Sequence, residues 1–163
     1  MKILEIFQRL EGSDCFRQWR NGKQMVLLAH AFNTIENGDI GEWQVGYYNP
    51  SSQLVSVFEV SKSVRLVAED EAFAAGAAGV KLLDINRIKI DYEVALGVAL
   101  GLQAEKYPQV SDSKTILILQ NLELGQVWNI TFVSPGLEVL NIKVGTEMGE
   151  IIEESLKPLF SFK

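Results

Sequence analysis

Trp43-Gln-Val-Gly-Tyr-Tyr-Asn-Pro50 and Trp128-Asn-Ile-Thr-Phe-Val-Ser-Pro135 carry one pattern twice in one chain. The tryptophans lie 85 residues apart, and so do the prolines (43 to 128, 50 to 135). Between them Val45 corresponds to Ile130, and Tyr47 to Phe132. Alternation with period two belongs to a strand with one buried face, because successive side chains point to opposite sides. The shared spacing predicts an internal repeat. Each half would run helix, strand, turn, strand, proline turn, strand.

The flanks support that reading. Ile3, Ile6, Phe7 and Leu10 recur at helical spacing, and Ser13 can cap a second helical group, Asp14 to Arg20. Gln24 to Ile35 reads as a strand, and Asn37-Gly38 as a hairpin turn. Gln53 to Val67 reads as one long strand or two short ones, ended by Glu69-Asp70-Glu71. Asp91 is a plausible N-cap for a helix over Tyr92 to Lys106, which stops before Pro108. Strands follow over Thr115 to Leu122, Val127 to Val133 and Leu137 to Val144, with a last short element at Ile151 to Leu156.

The expected fold class is α+β, in two tandem helix-plus-antiparallel-sheet units. Residues 1–72 form the first unit, 73–88 a small-residue connector, and 89–163 the second unit with a C-terminal tail. One helix over a few strands buries little, so the units are expected to share a core or extend one sheet.

The second half resembles a PepSY domain. Lys89-Ile-Asp-Tyr-Glu-Val-Ala95, running on to Lys106-Tyr107, is similar to that family's opening helix. Val127-Trp128-Asn-Ile-Thr-Phe132 resembles its central strand, and Ile142-Lys-Val-Gly-Thr-Glu-Met-Gly-Glu-Ile151 its closing motif. Gly145 stands where the family typically has an acidic residue, and Met148 where it has threonine. The resemblance implies a PepSY- or cystatin-like fold. It also implies a non-catalytic role, either regulation of a peptidase or binding, with no catalytic residue to carry over.

Composition bounds the rest. The chain has 163 residues, 47% of them hydrophobic, and a net charge of −6. Its basic residues are scattered, the densest group being Arg17, Arg20 and Lys23, so nucleic acid is not an expected partner. Cys15 is the one cysteine, which excludes an intrachain disulfide and fits a reducing compartment. The longest apolar run, Val94 to Leu102, is too short to span a bilayer. A cytoplasmic protein that does not bind membranes is expected.

Catalytic and metal chemistry are poorly supplied, so the expectation is no enzyme, no cofactor and no metal. His30 is the one histidine and reads as structural. Cys15, beside Phe16, reads as a packed thiol. Glu69-Asp70-Glu71 and Glu150, Glu153 and Glu154 read as solvated edges. Gly76-Ala-Ala-Gly79-Val-Lys81 lacks the Gly-Lys-Ser/Thr ending of a phosphate loop. Gly97 and Gly101 read as a close approach of helix to sheet, and Asn129-Ile-Thr131 as an idle glycosylation sequon. Trp43 and Trp128 are the candidate binding residues. Core packing is their ordinary role, and an aromatic platform for an extended segment of a protein partner, or of a second copy, is the functional one. The alternative is a small-molecule-binding protein or minor enzyme with an apolar pocket between helix and sheet.

Overall fold

The computed structural model describes residues 1–71, 81–111 and 114–158. Most of the small-residue connector and of the glycine-rich Gly76–Lys81 stretch lies outside the described residues. The elements are α1 (Ile3–Glu11), α2 (Asp14–Arg20), β1 (Leu27–Glu36), β2 (Asp39–Ile40), β3 (Trp43–Asn49), β4 (Leu54–Val60) and β5 (Val64–Glu71). After them come α3 (Tyr92–Lys106), β6 (Lys114–Leu122), β7 (Gly125–Val133), β8 (Glu138–Gly145) and β9 (Ile151–Pro158).

Among the described residues all nine strands join one antiparallel sheet, ordered β5-β4-β3-β1-β6-β7-β8-β9, with β2 on β1. The α+β class and the antiparallel sheet are as expected. The expectation of two tandem helix-plus-sheet units is replaced by one sheet-dominated body, because β1 pairs with β6 over seven residues. That pairing satisfies two edges that separate sheets would leave open. Outward from this seam the order is the same on both sides. Asn33 pairs with Leu117 at the middle, flanked by Phe32–Ile118 and Thr34–Ile116.

Several boundaries move. Asn37 and Gly38, both at positive φ, turn β1 into β2 as a hairpin, but β2 lasts only two residues. A one-residue slip follows, from Ile35↔Ile40 to Phe32↔Gln44. Asn33, fully buried, bridges it by donating from Nδ2 to the Gly41 carbonyl at 3.1 Å. Gln53 to Val67 is two strands, turning at Ser61–Ser63, and Glu69-Asp70-Glu71 lies within β5. β7 starts at Gly125, so Trp128 lies inside its strand whereas Trp43 begins β3.

The helices cover one face. α1 buries Ile3, Ile6, Phe7 and Leu10 and packs on β4, while α3 packs on β7 and β8. Ala95 and Ala99, fully buried, let α3 sit close to the sheet. Gly97 and Gly101, expected at that contact, lie instead on the exposed side of α3, where an added methyl would meet no neighbouring element within 4 Å. The helix periodicity that groups Tyr92, Ala95, Leu96, Ala99 and Leu102 on one apolar face holds, and it puts the two glycines on the other side.

The covered face holds Val45, Phe58, Leu117, Leu119, Ile130 and Ile142, all fully buried. Under α2, Phe16, Trp19, Tyr47 and Phe58 pack with ring centres 4.9 to 6.5 Å apart.

Candidate functional site

The N-termini of α1 and α3 meet over the centre of the sheet. Asp91 holds both: its Oδ2 accepts from the Ile3 amide at 3.0 Å and its Oδ1 from the Tyr92 amide at 2.8 Å. Each bond satisfies an amide that a helix start leaves unpaired. Beneath this junction Trp43, Trp128 and Tyr92 form a triangle with ring centres 5.2, 6.2 and 6.3 Å apart. The Trp128 indole donates to the Ile90 carbonyl at 3.1 Å.

Trp128 is fully buried and Trp43 is 5% exposed. Neither ring is an open platform. They differ in what lies beside them. Trp43 borders a groove of about 260 Å³, where Ile6, Val60 and Tyr92 join it and Ile40 and Glu42 of the β2–β3 segment face them. Arg9 and Lys62 stand on its rim. The Arg9 guanidinium is anchored on the Ser61 carbonyl at 2.8 Å. Burial, with Glu93 and Asp91 nearby, pushes the Tyr92 phenol above its ordinary pKa, so it stays protonated at neutral pH. Across the junction lies a second groove of about 380 Å³, bordered by Lys2, Leu4, Ile88, Lys89 and Val94.

The other candidates are dispersed. His30 lies on the uncovered sheet face, its ring directly over Gly46, and burial lowers its pKa. Cys15 is half-buried against the core cluster in the first turn of α2. Glu69 accepts from the Ser56 hydroxyl at 2.8 Å. Glu153 pairs with Lys143 at 2.9 Å, and Glu154 accepts from Lys106 at 2.6 Å and from the Tyr107 hydroxyl at 3.0 Å. Those two glutamates point to opposite faces of β9 and cannot act as one pair. Among the described residues no three His, Cys, Asp or Glu side chains converge as metal ligands. Of the basic group, Arg17 pairs with Asp14 at 3.7 Å, while Arg20 and Lys23 donate to carbonyls at the C-terminal end of α2.

Sequence reasoning missed Tyr92, Arg9, Ile40 and Lys62 as companions of Trp43. Tyr92 counted only as part of a helix face, and no local pattern ties residues 9, 40, 62 and 92 together. It also missed a polar ladder across the uncovered face. Asn129 donates to Gln120 at 2.9 Å, Asn141 to Asn129 at 2.6 Å, and Lys143 to Asn141 at 2.7 Å. The sequon residue Asn129 is thus a rung of this ladder.

No protein-family model matches the chain, and no curated protein sequence does. Among solved structures the chain is similar to a candidate lipoprotein from Clostridium difficile 630. The TM-score is 0.56 at 11% sequence identity, over 88% of this chain and 91% of that one. At that identity the likeness is one of fold. Among the described residues no helix is long and apolar enough to cross a membrane.

Proposed function

We propose that the chain is a non-catalytic binding module that holds an extended segment of a protein partner in the groove beside Trp43. The observation that carries this is the groove's build: an aromatic wall of Trp43 and Tyr92 with two cations, Arg9 and Lys62, on its rim. Its volume of about 260 Å³ falls below the roughly 300–1,000 Å³ of small-molecule pockets. It suits one anchoring apolar side chain of a longer partner, with an acidic neighbour meeting the rim. Trp128 supports the site from below, holding the Trp43 ring.

The PepSY resemblance supports regulation of a peptidase as the setting. The strand order, alike on either side of the β1–β6 seam, supports two PepSY-like halves fused through one sheet. The single cysteine supports a cytoplasmic location, whereas the likeness to a candidate lipoprotein supports one at a membrane surface.

The test is selection of a random-peptide display library on the immobilised chain. Enrichment of peptides joining an apolar residue to an acidic one, lost with Ile40→Asp and with Lys62→Glu, is the expected result. No enrichment, or enrichment indifferent to both substitutions, sinks the reading.

The larger groove favours a second reading, a small charged ligand between Lys2, Lys89 and Glu93, because its volume of about 380 Å³ lies within the small-molecule range. A melting-temperature screen against amino acids and short carboxylic acids tests it; a flat response removes it.

A further inference from the structure

The uncovered face of the sheet is organised from its centre outward. A solvated antiparallel face normally alternates apolar residues inward with polar ones outward. Here several outward positions of the central strands are apolar, Phe32 on β1, Ile116 and Ile118 on β6, Tyr48 on β3 and Val57 on β4, all half-buried, and the polar outward residues His30, Thr34, Gln44 and Gln120 lie beside them. Phe32 and Ile118 are paired one residue from the middle of the seam.

Three ion pairs surround this patch on the same face. Arg65 meets Glu59 at 2.8 Å on the β5 side, Lys143 meets Glu153 at 2.9 Å on the β9 side, and Lys114 meets Glu36 at 3.0 Å at the end of the seam. These charges cancel within the face, although the chain carries −6. The amides are engaged too, since Gln120, Asn129, Thr131 and Asn141 bond to one another. An apolar centre within a polar rim is the anatomy of a protein interface. Polar groups already satisfied among themselves lose little when water leaves.

We propose that this face is a self-association surface, and that its occupant is the same face of a second copy. Charge selects that partner. A neutral, internally paired face gives no attraction to a strongly charged macromolecule, and two such faces do not repel each other. Geometry agrees, because two identical sheets share one twist, and similarly twisted sheets stack with strands within about 30°. Eight strands about 4.8 Å apart, over five residues of about 3.3 Å, outline roughly 600 Å² of flat area. Side-chain relief adds to that footprint, bringing it close to the roughly 800 Å² per partner of a stable interface.

The experiment is sedimentation equilibrium of the full chain from micromolar to near-millimolar concentration, with melting curves in parallel. A mass tending to twice that of the chain is expected. Ile118→Lys places an unpaired charge at the centre and should weaken association about a hundredfold or more. Ile118→Thr, which keeps the strand preference, should weaken it less and guards against a misfolded lysine variant. Ala104→Lys, on the exposed side of α3, should leave association unchanged. A monomer at every concentration overturns the proposal. So does a dimer that ignores both Ile118 substitutions, or one abolished by Ala104→Lys. The groove beside Trp43 is on the opposite face, so peptide selection and sedimentation can fail independently.

Discussion

The indole of Trp43 meets the indole of Trp128 edge-on, their ring centres 6.2 Å apart at an interplanar angle of 64°. The two rings stand on strands either side of the β1–β6 seam, and Tyr92 closes the third side of their triangle. A contact made across the middle of the chain couples the stability of its two halves.

That coupling is measurable. Trp128→Ala should cost about 3–5 kcal/mol, the range for removing a large buried aromatic. Trp43→Phe and Trp128→Phe together should show about 0.5–1.5 kcal/mol of non-additivity in denaturant unfolding. Strict additivity would mean that the rings touch without consequence.

Gly46 has a steric partner. A methyl added there would lie 2.2 Å from Cε1 of His30. Gly46→Ala should therefore destabilise by about 1–3 kcal/mol. In a His30→Ala background the same change should cost far less. Urea denaturation of the four variants checks this, and equal costs in both backgrounds would refute the contact.

His30 also predicts a pH response. Burial lowers its pKa below the ordinary 6.5, so the folded state resists protonation and the unfolded state does not. Between the lowered value and 6.5 the unfolded chain binds more protons, so stability rises with pH through that window and falls on acidification below 6.5. Melting of the chain at about pH 7.5 and about pH 5 should show this fall, and His30→Gln should shrink it. An unchanged pH profile in His30→Gln would assign the fall to other groups.

Asp91 caps two helices at once. Asp91→Ala removes an acceptor from the Ile3 and Tyr92 amides and should cost about 1–2 kcal/mol. Asp91→Asn, which keeps one acceptor oxygen, should restore part of it. Because Asp91 joins α1 to α3, its loss should raise amide exchange in both helices; an effect confined to α3 would show that the long-range bond contributes little.

The helices and strands were largely legible from local pattern. Asp91 and Tyr92 to Lys106 read correctly as cap and helix because the cap, the apolar run and Pro108 are neighbours in the chain. The alternation around Trp43 and Trp128 was equally local. The side of α3 that faces the sheet was legible too, since Tyr92, Ala95, Leu96, Ala99 and Leu102 recur on one apolar face and are the residues that pack inward, whereas placing Gly97 and Gly101 at the contact contradicted that periodicity. The site beside Trp43 was half legible: the tryptophan stands out, but Arg9, Lys62 and Tyr92 reach it from three other parts of the chain.

The amino-acid order by itself determined the α+β class, the strand alternation and the inward-facing positions of Val45 and Ile130, because these follow from periods of two and 3.6 residues along the chain. Tertiary structure alone decided that β1 and β6 join everything into one sheet. It also decided that both indoles are buried against each other, and that Phe32 and Ile118 share the uncovered face. Pairing between residues some 86 positions apart (32 to 118) depends on which open edges can satisfy each other's backbone groups, and that information is carried by no single stretch of sequence.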